Sequence, residues 1–101
     1  EAGRAVYRAT CQACHEADGR GQPGRGAALV DSRLALAPAG VPVRILLHGK
    51  EGRTGLMPPI GATLDDAQVA AVLTYIRSAW TNRAAPLTEL TVTQQRSSAR
   101  P

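Results

Sequence analysis

Apolar positions fall into a helical rhythm in two places along the chain, and start and stop signals mark a further helix between them. Gly3, Tyr7, Cys11 and Cys14 recur at spacings of four, four and three, which predicts a helix over 2–14 with these residues on one face. Pro42 suits the first turn of a second helix that runs to about His48, with Gly49 as its stop. The last pattern is the clearest. Val69, Val72, Leu73, Ile76 and Trp80 form one stripe, and the helix is expected to end near Asn82. Thr63 is the expected N-cap, with Asp66 three residues on, and Asp65 suits the positive helix start.

Between these patterns lie two segments rich in Gly and Pro, residues 16–28 and 50–61, which read as loops. Beyond Asn82 the composition turns to Thr, Gln and Ser. There, "LTELTVT" reads as a short strand or a tail lying on the surface, and the last five residues as disordered. No internal repeat occurs, and no segment alternates like a parallel-sheet strand. The expected fold is all-α: three to five helices with long loops, a domain over 1–82 and a tail over 83–101 that is partly ordered at most.

Composition adds that the chain is short of core. It has 101 residues, 3% aromatics and no Phe, with ten Gly and seven Pro. A domain of this size buries a modest share of its surface, and a bulky buried cofactor would supply what the side chains lack. The net charge is +4, with Lys50 the single lysine. The basic residues are scattered, with no aromatics interleaved, which argues against nucleic-acid binding. No apolar run is long enough for a transmembrane helix. The chain opens on Glu1 in a polar stretch; the expectation is an exported protein or an excised domain, its signal peptide not in this chain.

The chemistry concentrates in "TCQACHEADGRG", which holds both cysteines, Cys11 and Cys14, with His15 directly behind. A redox Cys-x-x-Cys belongs after a strand in a βαβ setting, which is missing. Zinc needs four ligands, and Cys11, Cys14, His15 and His48 would be the set, but adjacent Cys14 and His15 are awkward on one tetrahedral ion. Covalent haem attachment requires this order. Each thiol joins one vinyl group, and the following His faces the iron. A second axial ligand would complete an electron carrier. Met57 is the only Met, in a Pro-stiffened loop, 42 residues beyond His15. A thioether there favours ferrous iron and raises the potential. His48, at a helix end before Gly49, is the competing ligand. Leu29, Leu34, Leu46, Leu47, Leu56 and Ile60 are expected to line the pocket, and Pro58 to adjoin it. Arg44 and Arg53 are candidate partners for haem propionates. Tyr7, Tyr75 and Trp80 are expected in the core or against the haem.

With these residues placed, the chain resembles the small monohaem cytochromes c with His/Met ligation. It most resembles the cytochrome subunits and haem domains that serve periplasmic quinoprotein-type dehydrogenases. The matching stretches are residues 3–15, which end in "YRATCQACH", then "ILLHGKEGRTGLMPP" and "LDDAQVAAVLTYIRSAWTN". The resemblance implies a cytochrome c fold and one haem c held through Cys11 and Cys14. It implies iron bound by His15 and Met57, and Gly3 and Tyr7 meeting the Leu73–Ile76 region where terminal helices cross. It implies a one-electron carrier, not an enzyme, passing electrons in a bacterial periplasm from a dehydrogenase to an oxidase or cytochrome. A haem subunit or fused domain of a dehydrogenase complex is the alternative, followed by an open-site catalytic or gas-binding haem protein. In the family, a Pro carbonyl two residues before the equivalent of Leu29 accepts the Nδ1 proton of the haem His. Ala27 stands there in this chain, and its carbonyl can accept the same bond. The lysine ring of many cytochromes c is absent.

Overall fold

A computed structural model of the chain describes residues 2–22, 24–52 and 55–98. The first apolar face builds helix α1, Ala2–Thr10, with Gly3 and Tyr7 buried. The predicted single helix over 2–14 is broken at Cys11 and resumes as a short helix α2, Gln12–His15. The Thr10 hydroxyl donates back to the Val6 carbonyl at 2.7 Å. This local bond competes with the helix ladder and bends helices. Glu16, at φ 68°, then ends the helical path.

Helix α3 is Gly40–His48, with Pro42 in its first turn and Val43, Leu46 and Leu47 buried. Gly49, at φ 78°, closes it by donating to the Ile45 carbonyl. The segment expected as a loop over 50–61 carries a small antiparallel hairpin. Strand β1, Lys50–Gly52, pairs with β2, Gly55–Met57, in the register Lys50 to Met57. These are the only strands among the described residues, so the all-α class stands. A 3-10 turn over Ile60–Thr63 leads into helix α4, Asp66–Ser78. Asp65, not Thr63, is its N-cap. The Asp65 carboxylate accepts from Gln68 N at 2.7 Å, and Gln68 Oε1 accepts from Asp65 N at 2.9 Å. Thr63 is diverted, because its hydroxyl closes the 3-10 turn on the Ile60 carbonyl.

Helix α4 buries Val69, Val72, Leu73 and Ile76 as expected. It crosses α1 closely, because a Cβ on Gly3 would overlap the Ala71 carbonyl and Tyr75 Cβ. The crossing implied by the resemblance is therefore present, with Ala71 and Tyr75 against Gly3. The helix ends at Ser78, short of Asn82, and Trp80 (φ 57°) leaves the stripe. Its indole folds back to Tyr7 and Tyr75, with ring centroids 5.6 and 5.8 Å away, and the two tyrosines are 5.3 Å apart. Such pairs add about 0.5–1.5 kcal/mol each beyond area burial. All three aromatic residues of the chain thus pack together, Tyr7 in the core and half-buried Tyr75 and Trp80 against it.

The tail departs from expectation. The segment expected as a short strand or a tail lying on the surface contains helix α5, Glu89–Ser98. Val92 is fully buried, and Leu87 just before the helix is also buried. The Thr88 hydroxyl accepts from Thr91 N at 3.2 Å, the bond of an N-cap. Helix α5 packs on α3 and α4.

Candidate functional site

Helix α2 carries the attachment motif to the wall of a cavity of about 430 Å³. Cys11 is buried and Cys14 half-buried, and both line it. Burial pushes the Cys11 thiol pKa up, against a smaller pull down from the Thr10 hydroxyl. His15 lines the same cavity with 8% of its surface exposed. Its Nδ1 lies 2.7 Å from the Ala27 carbonyl, which can only accept, so Nδ1 carries the proton. Nε2 is then left with its lone pair for a metal. The bond requires the Gly26–Ala27 backbone to run close beneath α2. Gly26 allows this, since a Cβ there would overlap the Cys14 backbone. Mutual bonds between Gln22 and Gly26 close the loop at 2.9 and 3.1 Å.

Met57, at the end of β2, reaches the same cavity from another part of the chain. Leu29, Leu34, Leu46, Pro58 and Ile60 line it too. Leu47 is instead buried in the core cluster. The side chain of Leu56, and Arg53 altogether, lie outside the described residues. His48 is exposed and does not line the cavity, so the four-ligand zinc set is not assembled.

Sequence reasoning missed several lining residues: Ala35, Ile45, Leu73 and Ile76 on the apolar walls, and exposed Arg25 and Lys50. Lys50 had one local signal, its place directly after the helix stop at Gly49. Arg44 is directed elsewhere, donating to Gln95 Oε1 at 3.1 Å.

Behind the walls lie two buried polar side chains that no sequence pattern singles out. Arg77, 5% exposed, donates to the carbonyls of Ala35, Ala37 and Ala85. Asn82 donates to the carbonyls of Leu29 and Ile76 and accepts from Asp31 N, at 2.9–3.0 Å. Both tie the 29–37 segment, which forms one wall, to the end of α4.

The residues fit a haem c. The cavity volume falls in the range of small-molecule and cofactor sites, roughly 300–1,000 Å³. Its lining is mainly aliphatic, and it gathers two thiols three residues apart, an oriented imidazole and a thioether.

Fold and cavity together define the site of a c-type cytochrome. The chain belongs to the family described as cytochrome c oxidase, cbb3-type, subunit III, whose model matches residues 1–76. Among solved structures it is similar to the c-type cytochrome XoxG from Methylobacterium extorquens AM1. The identity is 25% and the TM-score 0.62, over 94% of this chain and 64% of that one. The chain thus spans a little under two thirds of that structure. No curated protein matches it. Family and fold support an electron-carrier role. No described helix is long and apolar enough to cross a membrane.

Proposed function

We propose that the chain carries single electrons on one haem c, bound covalently through Cys11 and Cys14, with His15 and Met57 as axial ligands. The haem supplies reversible one-electron exchange at its iron. The protein supplies the remaining conditions. The Ala27 carbonyl fixes the imidazole orientation and makes the ligand more electron-rich. The aliphatic walls exclude water and hold the site in a low dielectric. A soft thioether on a buried iron favours the reduced state. With His15 and Met57 both given to holding the iron, the protein would leave no position on it for a substrate. The observation that carries the reading is the meeting of both thiols, the oriented His15 and Met57 in one aliphatic cavity.

The donor we propose is a periplasmic dehydrogenase, and the acceptor a downstream oxidase or cytochrome. Haem attachment outside the cytoplasm in the systems this chain resembles supports a periplasmic site. A second reading is that the chain is a haem domain or subunit of a larger oxidoreductase. It is favoured by the description of the matching family as an oxidase subunit.

The axial assignment is tested by Met57→Ala. The variant should keep its covalent haem, lose the low-spin ferric spectrum, bind carbon monoxide rapidly when reduced and show a lower potential. A Met57→Ala protein with unchanged spectrum and potential, beside a His48→Ala protein that loses both, would overturn it.

A further inference from the structure

Helix α5 lies beyond the family match, which ends at residue 76. Its inward charge is Arg96. That guanidinium donates to Asp66 Oδ1 at 2.8 Å, to the Leu64 carbonyl at 3.1 Å and, at the longer distance of 3.5 Å, to the Gly61 carbonyl. The Thr93 hydroxyl donates to the other Asp66 oxygen. One side chain of the added helix therefore holds both the 3-10 turn Ile60–Thr63 and the start of α4.

The turn is the immediate continuation of the Met57 segment. Ile60 N bonds the Pro58 carbonyl at 2.8 Å, and Ala62 N bonds the Pro59 carbonyl at 3.0 Å. Two consecutive prolines with fixed φ stand between Met57 and the turn, so the link has little slack. On its other side the turn rests on α3, where a Cβ on Gly61 would overlap the Leu46 carbonyl. The turn is thus gripped between α3 and Arg96, and its Ile60 lines the cavity with Met57.

We propose that Arg96 is a positioning residue for the sixth ligand: through the 60–64 turn, helix α5 holds Met57 against the iron. The inference rests on Met57 being that ligand. Its force comes from a charged donor shared by the Asp66 carboxylate and the Leu64 carbonyl, with a longer contact to Gly61, and such bonds are stronger than neutral ones. Without it the turn keeps only its α3 side, and thermal detachment of Met57 becomes more frequent. Detachment would expose the ferric iron to external ligands while the haem stays covalently bound.

The test uses holoprotein variants Arg96→Gln and Arg96→Lys. Val69→Ala serves as a control that removes fully buried packing on α4 away from the cavity. Readouts are the methionine–iron charge-transfer band of the ferric form, cyanide affinity and midpoint potential. Arg96→Gln should bind cyanide roughly tenfold more tightly, with a weaker band and a lower potential. Arg96→Lys, which keeps a cation for Asp66 and one carbonyl, should fall between it and the parent. Val69→Ala should lose thermal stability with cyanide affinity unchanged. Equal cyanide affinity in the parent and both Arg96 variants would overturn the proposal. So would a rise in Val69→Ala that matches Arg96→Gln at equal loss of stability. Met57→Ala separates the two failures. If it opens the iron while the Arg96 variants do not, the clamp fails alone; if it changes nothing, the ligand assignment fails and takes the clamp with it.

Discussion

Arg77 shows how a cation is held in this interior without a carboxylate beside it among the described residues. Its guanidinium is spread over three backbone carbonyls in the last turn of α4, where the helix dipole also favours positive charge. Burial lowers its pKa, yet an arginine has ample margin to stay charged. Arg77→Met should therefore strand the carbonyls of Ala35, Ala37 and Ala85. At about 1–3 kcal/mol per stranded buried group, partly relieved by water, a loss of about 3 kcal/mol is expected in chemical denaturation. A change under about 0.5 kcal/mol, the scatter of ordinary surface substitutions, would show that the 35–37 wall holds itself. Arg77 and Asn82 were not legible in the sequence for one reason. Their partners are backbone atoms of residues up to 53 positions away, and a carbonyl leaves no residue-type signature. Cys11, Cys14 and His15 were legible because their chemistry is written within five residues. Ala27 was anticipated as the His15 acceptor only through the resemblance.

The apolar periods placed α1 and α4, which bury Gly3 and Tyr7, and Val69, Val72, Leu73 and Ile76, while α3 was read from Pro42 at its start and Gly49 at its stop. Helix α5 was missed because its sequence, "ELTVTQQRSS", is polar and has a single fully buried residue, Val92. It is a helix made by tertiary attachment, which periodicity cannot reveal. That attachment has an acid limit. The Thr93 and Arg96 hydrogen bonds hold the Asp66 carboxyl below the usual aspartate value of about 3.9. A depressed folded pKa contributes stability above the unfolded value, and that contribution is lost as pH falls toward the folded one. Lowering the pH through about 4 and below should thus undock α5 ahead of the haem core. Hydrogen-exchange protection of 89–98 is the measurement. Asp66→Asn should show weaker protection at neutral pH and no further acid step. Parallel loss of α5 and α1 protection in the parent would contradict this order.

For the whole molecule, the cavity decides. All the aromatic side chains sit together at the α1–α4 crossing, so the cavity walls are aliphatic and small. Such a chain has too little of its own to close around that volume. Cys11→Ser with Cys14→Ser should remove covalent haem and most of the cooperative fold, read as lost thermal transition and lost near-UV dichroism. A haem-free double variant that melts cooperatively would show a self-sufficient core. The composition signal, few aromatics and many glycines, announced this deficit. The identity of the walls did not follow from it, because Ala35 comes from a segment with no mark of haem contact, and Leu73 and Ile76 lie on a stripe read only as helix packing.

The central claim is that one haem, closed on both axial sides, exchanges single electrons. Spectroelectrochemical titration of the purified holoprotein tests it most directly. The account predicts one Nernstian one-electron wave, with low-spin iron at both ends and no rapid binding of carbon monoxide by the ferrous form. High-spin ferrous iron that takes up carbon monoxide on mixing would contradict it and make the site an open, ligand-binding haem.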